Sequence, residues 1–237
     1  MLRIGFLDSA FSRIFTVFIA VVAVLDEPTT LKYVVQGQLT LLGAETPSFD
    51  AECGGMKRIT LDFGAWVDVL PGWLHGHAQV FDTLVATTRW RHEKRVMYER
   101  EVDVPRVYAV LPDDGPGHPV IEAMRRVLGA RYATDFERVS VALYRDGRDS
   151  VAWHGDYVAR EMDTALVASV SVGAPRRFLL RPHQGVRGRS MSLTLGWGDL
   201  LVMGGTCQRT WQHAVPKVAS APPRVVIMFR PAWTPEP

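Results

Sequence analysis

The feature that most constrains the fold is a succession of short segments, rich in β-branched and aromatic residues, that begins after residue 138. We predict strands at residues 139–144, 165–172, 177–181, 191–195, 199–203, 211–215 and 224–229. Turn-forming pairs such as Asp146-Gly147 and Gly204-Gly205 separate these segments. Many short strands at close spacing are typical of a jelly roll or a related sandwich, in which two sheets enclose the core. The second half of the chain is therefore predicted to be a jelly roll.

Two helices are predicted N-terminal to these strands. Residues 80–88 can form a short helix, and residues 119–131 form a stronger candidate. Pro119 suits a first helical position, the apolar residues after it share one face, and Gly129 is expected to end the helix. The predicted fold class is α+β, mainly β, with N-terminal helices.

Composition limits the classes of partner that the chain can bind. It has 237 residues, 47% of them hydrophobic, which is enough for one sizeable domain with a flanking extension. The 27 lysines and arginines against 25 acidic residues give a net charge of only +2, so contact with nucleic acid requires local patches. Two arginine-rich clusters, at residues 89–100 and 176–189, are candidates, and each is as compatible with a solvated strand edge or loop.

The cysteines and the N-terminus bear on location. Cys53 and Cys207 have no metal-binding spacing, which favours a reduced, cytoplasmic protein. The apolar run at residues 14–25 is shorter than the about 20 residues that span a bilayer. It fits a packed helix, a membrane-directing segment or a stretch translated upstream of the natural start. We favour the last, and expect a monomer without stable membrane association.

A histidine and carboxylate pattern points to a metal. His154-Gly155-Asp156 is followed by His213, and residues 154 and 156 of an extended segment project to the same side. Two histidines and one carboxylate hold Fe(II) in non-haem oxygenases and leave the opposite face open. Either part alone is weak, because a His-x-Asp triplet occurs by chance and a single histidine is more often a core or surface residue. Trp211 is expected to share the face of His213.

Two arginines on the last predicted strand suggest a ligand with two carboxylates. Arg224 and Arg230 are an even number of positions apart, so both lie on one face, while Val225, Ile227 and Phe229 lie on the other. Burial of two cations is costly without an anion. A dicarboxylate co-substrate such as 2-oxoglutarate would supply it, whereas an edge strand with solvated arginines would not need it.

Several ordered segments resemble the AlkB family of Fe(II)- and 2-oxoglutarate-dependent dioxygenases, which demethylate alkylated nucleic-acid bases. They are SVALYRDGRDSVAWHGD (140–156), SVSVGAPRRFLLRP (169–182), GDLLVMGGTCQRTWQHAVPK (198–217) and PRVVIMFRP (223–231), with VPRVYAVLP (104–112) similar to the family's substrate-side strand. The resemblance covers about residues 60–233. We therefore divide the chain into an apolar extension (1–26), an extended lead-in (27–59) and an AlkB-like dioxygenase domain (60–237).

The resemblance implies a double-stranded β-helix core and assigns roles to individual residues. His154, Asp156 and His213 would be the Fe(II) ligands. Arg224 would pair with the distal carboxylate of 2-oxoglutarate, and Arg230 would lie near its metal-chelating end. Tyr144 would help to hold this co-substrate. The implied reaction is oxidative demethylation of alkylated DNA or RNA bases, with release of formaldehyde and succinate.

The chain departs from the family's pattern at two co-substrate positions and after the metal triplet. Ala142 stands where the family often has asparagine, and Val226 stands where it often has a polar residue. Tyr157-Val158-Ala159 replaces an acidic residue that some members direct at the damaged base. These changes leave base specificity and co-substrate affinity open.

Three residues are candidates for contact with nucleic acid, because a flipped base needs stacking surfaces and phosphates need cations: Tyr98, Arg106 and Tyr108. Three other functions remain open. One is a dioxygenase that acts on methylated RNA or a protein side chain. Another is a zinc hydrolase that uses the same ligands. The third is a non-catalytic nucleic-acid-binding relative.

Overall fold

The computed structural model describes residues 21–25, 31–35, 45–97, 100–156, 164–183 and 188–232. The strands are β1 Val21–Leu25, β2 Leu31–Val35, β3 Ser48–Phe49, β4 Lys57–Thr60, β5 Ala65–Leu70, β6 Leu74–His75, β7 Arg91–Met97, β8 Arg100–Leu111, β9 Arg138–Tyr144, β10 Val151–His154, β11 Val167–Gly173, β12 Arg176–Pro182, β13 Met191–Leu195, β14 Asp199–Gly205, β15 Trp211–Val215 and β16 Arg224–Arg230. The helices are α1 His77–Thr87, α2 Pro119–Tyr132 and α3 Cys207–Thr210, and Asp62–Gly64 forms a 3-10 turn.

Two antiparallel sheets form the body of the fold. The major sheet has the strand order β4-β5-β14-β11-β16-β9-β8-β7, and the minor sheet has the order β10-β15-β12-β13. Apolar side chains from both sheets pack into one buried cluster between them, while α1 and α2 pack in a second cluster on the other face of the major sheet. The mainly β, double-stranded β-helix fold predicted from the sequence is confirmed.

Strand β16 shows how the sequence divides these two cores. Val225, Ile227 and Phe229 lie in the cluster with the helices, whereas Val226 and Met228 lie in the cluster between the sheets. Arg224 and Arg230 share the parity of the second set, so the strand carries both guanidinium groups to the inter-sheet side. The alternation predicted for this strand is confirmed.

The second predicted helix differs from expectation at its end. It begins at Pro119, where His118 Nδ1 accepts a hydrogen bond from the Val120 amide at 3.2 Å, but it continues past Gly129 to Tyr132. Gly129 does not end the helix. A Cβ at this position would lie 3.0 Å from the Thr134 carbonyl oxygen, so glycine lets the returning chain pack closely here. The left-handed residue at the C-terminus is Ala133 instead.

A second close approach fixes the edge of the major sheet. Gly204 of β14 pairs with Trp66 of β5, and a Cβ at Gly204 would meet the indole Cζ2 at 2.1 Å. The indole has little freedom to retreat, because its ring stacks near Tyr132 with centroids 6.1 Å apart and the Arg58 guanidinium lies 3.7 Å above it.

We expect Gly204→Ala to lower the free energy of unfolding by about 1–3 kcal/mol, the usual cost of an overpacked site. Chemical denaturation at equilibrium measures this difference. Gly54→Ala is the control, because Gly54, like Gly204, has no left-handed φ, and the one atom near its added Cβ is the Asp50 side-chain Oδ2 at 3.0 Å, at the end of a side chain that can move. An equal loss in both variants would contradict a steric cause at Gly204.

The N-terminal part of the chain contributes strands β1, β2 and β4. Strands β1 and β2 pair with each other, and the rest of residues 1–44 lies outside the described ranges. The end of the lead-in forms β4, which pairs with β5 at the edge of the major sheet. The predicted divisions at residues 26 and 59 remain predictions. No helix within the described ranges has the length and apolar character needed to cross a membrane.

Candidate active site

The two histidines of the pattern lie side by side on neighbouring strands. His154, at the end of β10, is the cross-strand partner of His213 in β15, and an irregularity in β10 separates it from the pair Val151 and Val215. The imidazole centroids are 4.2 Å apart. His154 Nδ1 lies 2.8 Å from the Ala152 carbonyl oxygen. A hydrogen bond from Nδ1 to that oxygen favours the tautomer in which Nε2 carries the lone pair that a metal ligand needs.

His213 is buried and held in the neutral state. Desolvation, with a smaller contribution from His154, lowers the pKa of His213 to about 3. The imidazole also stacks against Phe178 with centroids 5.4 Å apart, which fixes the plane of the ring. A neutral imidazole with a fixed orientation is what metal coordination requires.

Asp156 supplies the carboxylate beside these rings. Burial acts to raise its pKa, but the charge and hydrogen bonds of Arg230 outweigh that effect, and the pKa falls to about 2. Arg230 Nε donates to Asp156 Oδ2 at 3.0 Å, and Arg230 Nη2 donates to Oδ1 at 3.4 Å. The carboxylate is therefore ionised and paired with Arg230 at the end of β16.

The side chains of His154, Asp156 and His213 are neighbours, but their donor atoms are not arranged around a single point as in a metal site. Within the described ranges, no group of three or more His, Cys, Asp or Glu side chains has metal-binding geometry, and the Asp156 carboxylate faces Arg230. The donors nevertheless suit Fe(II), because they comprise two adjacent imidazoles and one ionised carboxylate.

A glutamine that the sequence did not single out positions the metal triplet. Gln208, buried in α3, accepts a hydrogen bond from the Asp156 backbone amide through Oε1 at 3.0 Å. A Cβ at Gly155 would lie 2.6 Å from the Gln208 carbonyl oxygen, so glycine is required where the triplet crosses α3. The one available signal was a polar residue in the short segment just before His213.

We expect Gln208→Leu to weaken Fe(II) binding about 10- to 100-fold, the range for loss of a group that orients a metal ligand. Anaerobic titration with Fe(II) measures the affinity. Gln212→Leu is the control, since Gln212 lies on β15 beside His213 and accepts hydrogen bonds from Arg181. Unchanged affinity in Gln208→Leu, or an equal loss in Gln212→Leu, would contradict the positioning role.

A pocket between the sheets begins beside His213 and Arg230 and continues to Arg224. Arg224 is 2% exposed, and its guanidinium donates to the Leu195 carbonyl oxygen at 3.2 Å and to Ser171 Oγ at 3.3 Å. Desolvation lowers its pKa to about 10. No carboxylate of the described residues lies within ion-pair distance of Arg224. A buried cation in this state favours an anionic ligand.

Tyr144 lies at the centre of a group of arginines on the pocket wall. Its hydroxyl accepts a hydrogen bond from Arg106 Nη1 at 3.2 Å, and its ring lies 5.3 Å from the Arg224 guanidinium. Arg176 lies 5.8 Å from the same ring but donates to the carbonyl oxygens of residues 146, 149 and 216. Arg176 thus holds backbone, whereas Arg224 has capacity for a ligand.

The two departures from the family pattern lie on this wall. Ala142 and Val226 are cross-strand partners on β9 and β16, and both are buried in the inter-sheet cluster. Apolar contact therefore replaces the hydrogen bonds that polar residues would offer at these positions. Arg224 therefore lies on a pocket wall on which these two positions offer no side-chain hydrogen bonds.

The nucleic-acid candidates have different positions. Arg106 is 7% exposed inside the pocket, so only a group that enters the pocket can contact it. Tyr108 is partly buried against the inter-sheet cluster. Tyr98 and residues 157–159 lie outside the described ranges. Trp211 does not line the pocket: it is buried in the same cluster, and its indole nitrogen donates to the Asp62 carbonyl oxygen at 3.3 Å.

The sequence is similar to those of several known proteins. Residues 117–230 match the family model described as "2OG-Fe(II) oxygenase superfamily". The chain is 30% identical to "Alpha-ketoglutarate-dependent dioxygenase alkB homolog 3" of Bos taurus, over 65% of this chain and 61% of that protein. It is 36% identical to "DNA oxidative demethylase ALKBH2" of Arabidopsis thaliana, over 50% of this chain and 44% of that protein.

A solved structure described as "The structure of OsALKBH1" aligns with 74% of this chain and 99% of that one, at 16% identity and a TM-score of 0.47. The chain thus spans between two fifths and two thirds of the length of the two curated relatives. The family match includes the His154–Asp156 triplet, His213, Arg224 and Arg230, and implies Fe(II) and 2-oxoglutarate as cofactor and co-substrate. Residues 117–230 thus match the 2-oxoglutarate- and Fe(II)-dependent oxygenase superfamily, and the curated relatives to which the chain is similar are AlkB homologues.

Proposed function

We propose that this protein is a dioxygenase that removes methyl groups from alkylated nucleic-acid bases and releases formaldehyde and succinate. The observation that carries this proposal is a pocket that is lined at one end by His213, whose imidazole lies beside that of His154, and by Arg230, which pairs with Asp156. The same pocket is lined further along by Arg224, a buried arginine without an ion-pair partner among the described residues. A zinc hydrolase would use the two imidazoles and the carboxylate, but it would give Arg224 no function.

The chain's own residues divide the work between metal and co-substrate. His154, Asp156 and His213 would hold Fe(II), and Arg224 would hold the distal carboxylate of 2-oxoglutarate beside Tyr144. When bound, Fe(II) and 2-oxoglutarate supply the oxidation of a methyl C–H bond by oxygen. The buried walls of the pocket exclude water. Arg230 keeps Asp156 ionised, and Arg230 would itself lie near the metal-chelating end of 2-oxoglutarate.

The nucleic-acid substrate is supported by relatives and by surface charge. One relative is named a DNA oxidative demethylase. The predicted basic clusters contribute less than their composition suggests, because Arg91 pairs with Asp114, and Arg176 is buried on carbonyl oxygens. Exposed members, such as Arg177 and Arg189, remain available to contact phosphate.

The test is formaldehyde release from a panel of methylated DNA and RNA oligomers with purified protein, Fe(II) and 2-oxoglutarate. We expect formaldehyde and succinate in equal amounts, and dependence on both Fe(II) and 2-oxoglutarate. Formaldehyde from a methylated peptide but from no oligomer would replace the nucleic-acid substrate with a protein side chain. Turnover of neither 2-oxoglutarate nor any substrate would refute the dioxygenase, and bound oligomer without turnover would indicate a binding protein.

A cytoplasmic location and a monomeric state complete the proposal. The cysteines support the first, because Cys53 and Cys207 are both buried thiols without a disulfide. Cell fractionation tests the location. Light scattering after gel filtration tests the monomer, and a mass twice that of the chain would contradict it.

A further inference from the structure

We infer that Phe63 is a stacking platform for the base of a nucleotide next to the target base in single-stranded nucleic acid. This inference rests on the proposed function and adds a specific contact outside the pocket. Phe63 and Trp197 are the large apolar side chains that stand exposed among the described residues, at 56% and 60%. Phe63 belongs to a turn that is hydrogen-bonded to Thr206 and Trp211, at the two ends of α3, whereas Trp197 is hydrogen-bonded to Gly173.

Backbone contacts connect Phe63 to the active site. The Asp62–Gly64 turn accepts hydrogen bonds from the Trp211 indole at the Asp62 carbonyl and from Thr206 Oγ1 at the Phe63 carbonyl, the latter at 2.6 Å. Thr206 begins α3, in which Gln208 holds the Asp156 amide. The turn is thus fixed to the same short helix that positions the metal triplet.

The conformation of the turn keeps the ring outside the core. Phe63 has φ 64° and ψ 30°, a left-handed conformation that aromatic residues seldom adopt. Both carbonyls that secure the turn point into the fold, while the ring stays more than half exposed. A bulky apolar residue in a strained, exposed position has no packing function here, and such positions cluster at binding sites.

The charges around the turn favour a nucleic-acid strand. Arg209 is exposed on α3, two residues after Cys207, and Arg189 is exposed next to Gly188. Gly188 lies against the turn, because a Cβ there would be 2.8 Å from Asp62 Oδ2. The segments that contact the turn thus carry two exposed arginines, and the turn itself carries the Asp62 carboxylate and the exposed Phe63 ring. Aromatic rings beside arginines are the usual surface for single strands, in which bases stack and phosphates meet cations.

The chemistry of the proposed reaction explains why such a platform would lie near the pocket. A base that enters the pocket leaves its stack and exposes the faces of its neighbours. An aromatic ring close to the opening can cover one of those faces. The gain does not depend on sequence, because every base has a stacking face.

The test measures binding of a short fluorescein-labelled single-stranded oligonucleotide that contains one methylated base, by anisotropy, together with turnover of the corresponding free methylated nucleoside. The variants are Phe63→Asn and Phe63→Trp, since asparagine tolerates the left-handed backbone and tryptophan keeps a stacking ring. Trp197→Asn is the matched control, because Trp197 is equally exposed and also has a positive φ (46°), but lies in the turn beside Gly173.

We expect Phe63→Asn to weaken oligonucleotide binding about tenfold, within the range for loss of one stacked base. Phe63→Trp and Trp197→Asn should bind as the wild type does, and all variants should turn over the free nucleoside equally. Unchanged affinity in Phe63→Asn, or the same loss in Trp197→Asn, overturns the inference.

The two proposals fail in different ways. Formaldehyde release by the wild type with normal binding by Phe63→Asn rejects the platform and keeps the demethylase. Phe63-dependent binding without formaldehyde keeps the platform and rejects the demethylase. A wild-type protein that binds no single-stranded oligonucleotide rejects the platform, whereas formaldehyde release from a double-stranded oligomer would still keep the demethylase.

Discussion

Replacement of Asp156 by alanine is expected to abolish Fe(II)-dependent turnover of 2-oxoglutarate. The site has two imidazoles from His154 and His213, and Asp156 is the carboxylate beside them. Removal of a group that only orients a metal ligand lowers metal affinity about 10- to 100-fold. The decrease in Fe(II) affinity in Asp156→Ala should be larger than this. Anaerobic Fe(II) titration and succinate production measure the two effects.

The control for this variant is Asp149→Ala. Asp149 is also a buried carboxylate paired with an arginine, since Arg145 Nε lies 2.7 Å from Asp149 Oδ2. Its removal breaks a buried ion pair and should lower thermal stability. The folded fraction should bind Fe(II) with normal affinity, because Asp149 belongs to a turn and not to the histidine pair. Retention of Fe(II) affinity in Asp156→Ala would show that Asp156 serves only Arg230.

The parts of the site that the sequence predicts are those set by local periodicity. Alternation along β16 fixes the side of Arg224 and Arg230, and two-residue spacing places His154 near Asp156. The strands of the second half follow from β-branched segments between turn residues, and the structure reproduces 191–195 and 211–215 without change. These features depend on neighbours along the chain, so one sequence suffices to predict them.

The parts that the sequence does not predict depend on contacts between distant segments. Gln208 matters because α3 packs on the metal triplet, a contact across more than fifty positions. Arg91 looked available for phosphate, but a buried Asp114 more than twenty positions away pairs with it. Gly129 resembled a helix end, whereas it provides room for the chain that returns at Thr134. No local pattern encodes these approaches.

Replacement of Arg224 by methionine is expected to raise the KM for 2-oxoglutarate about a hundredfold or more. Loss of one partner of a buried ion pair costs about 3–5 kcal/mol, and each 1.4 kcal/mol is a factor of ten. The ligand-free protein should not lose stability and can gain it, because the variant removes a buried cation whose partners are a single carbonyl and a hydroxyl. Steady-state kinetics and thermal melts with and without 2-oxoglutarate measure both effects.

Arg176→Met separates this behaviour from that of an ordinary buried arginine. Arg176 is as buried as Arg224 and lies at a similar distance from the Tyr144 ring, but its guanidinium donates to three backbone carbonyl oxygens. Its loss leaves those acceptors without donors, so stability should fall by several kcal/mol at about 1–3 kcal/mol for each. The KM of the folded fraction should change little. If the two variants behave alike, with stability lost and KM unaltered, then Arg224 is a structural residue and the pocket does not select a dicarboxylate. Opposite behaviour would show that the fold uses one buried arginine to hold backbone and the other to bind co-substrate.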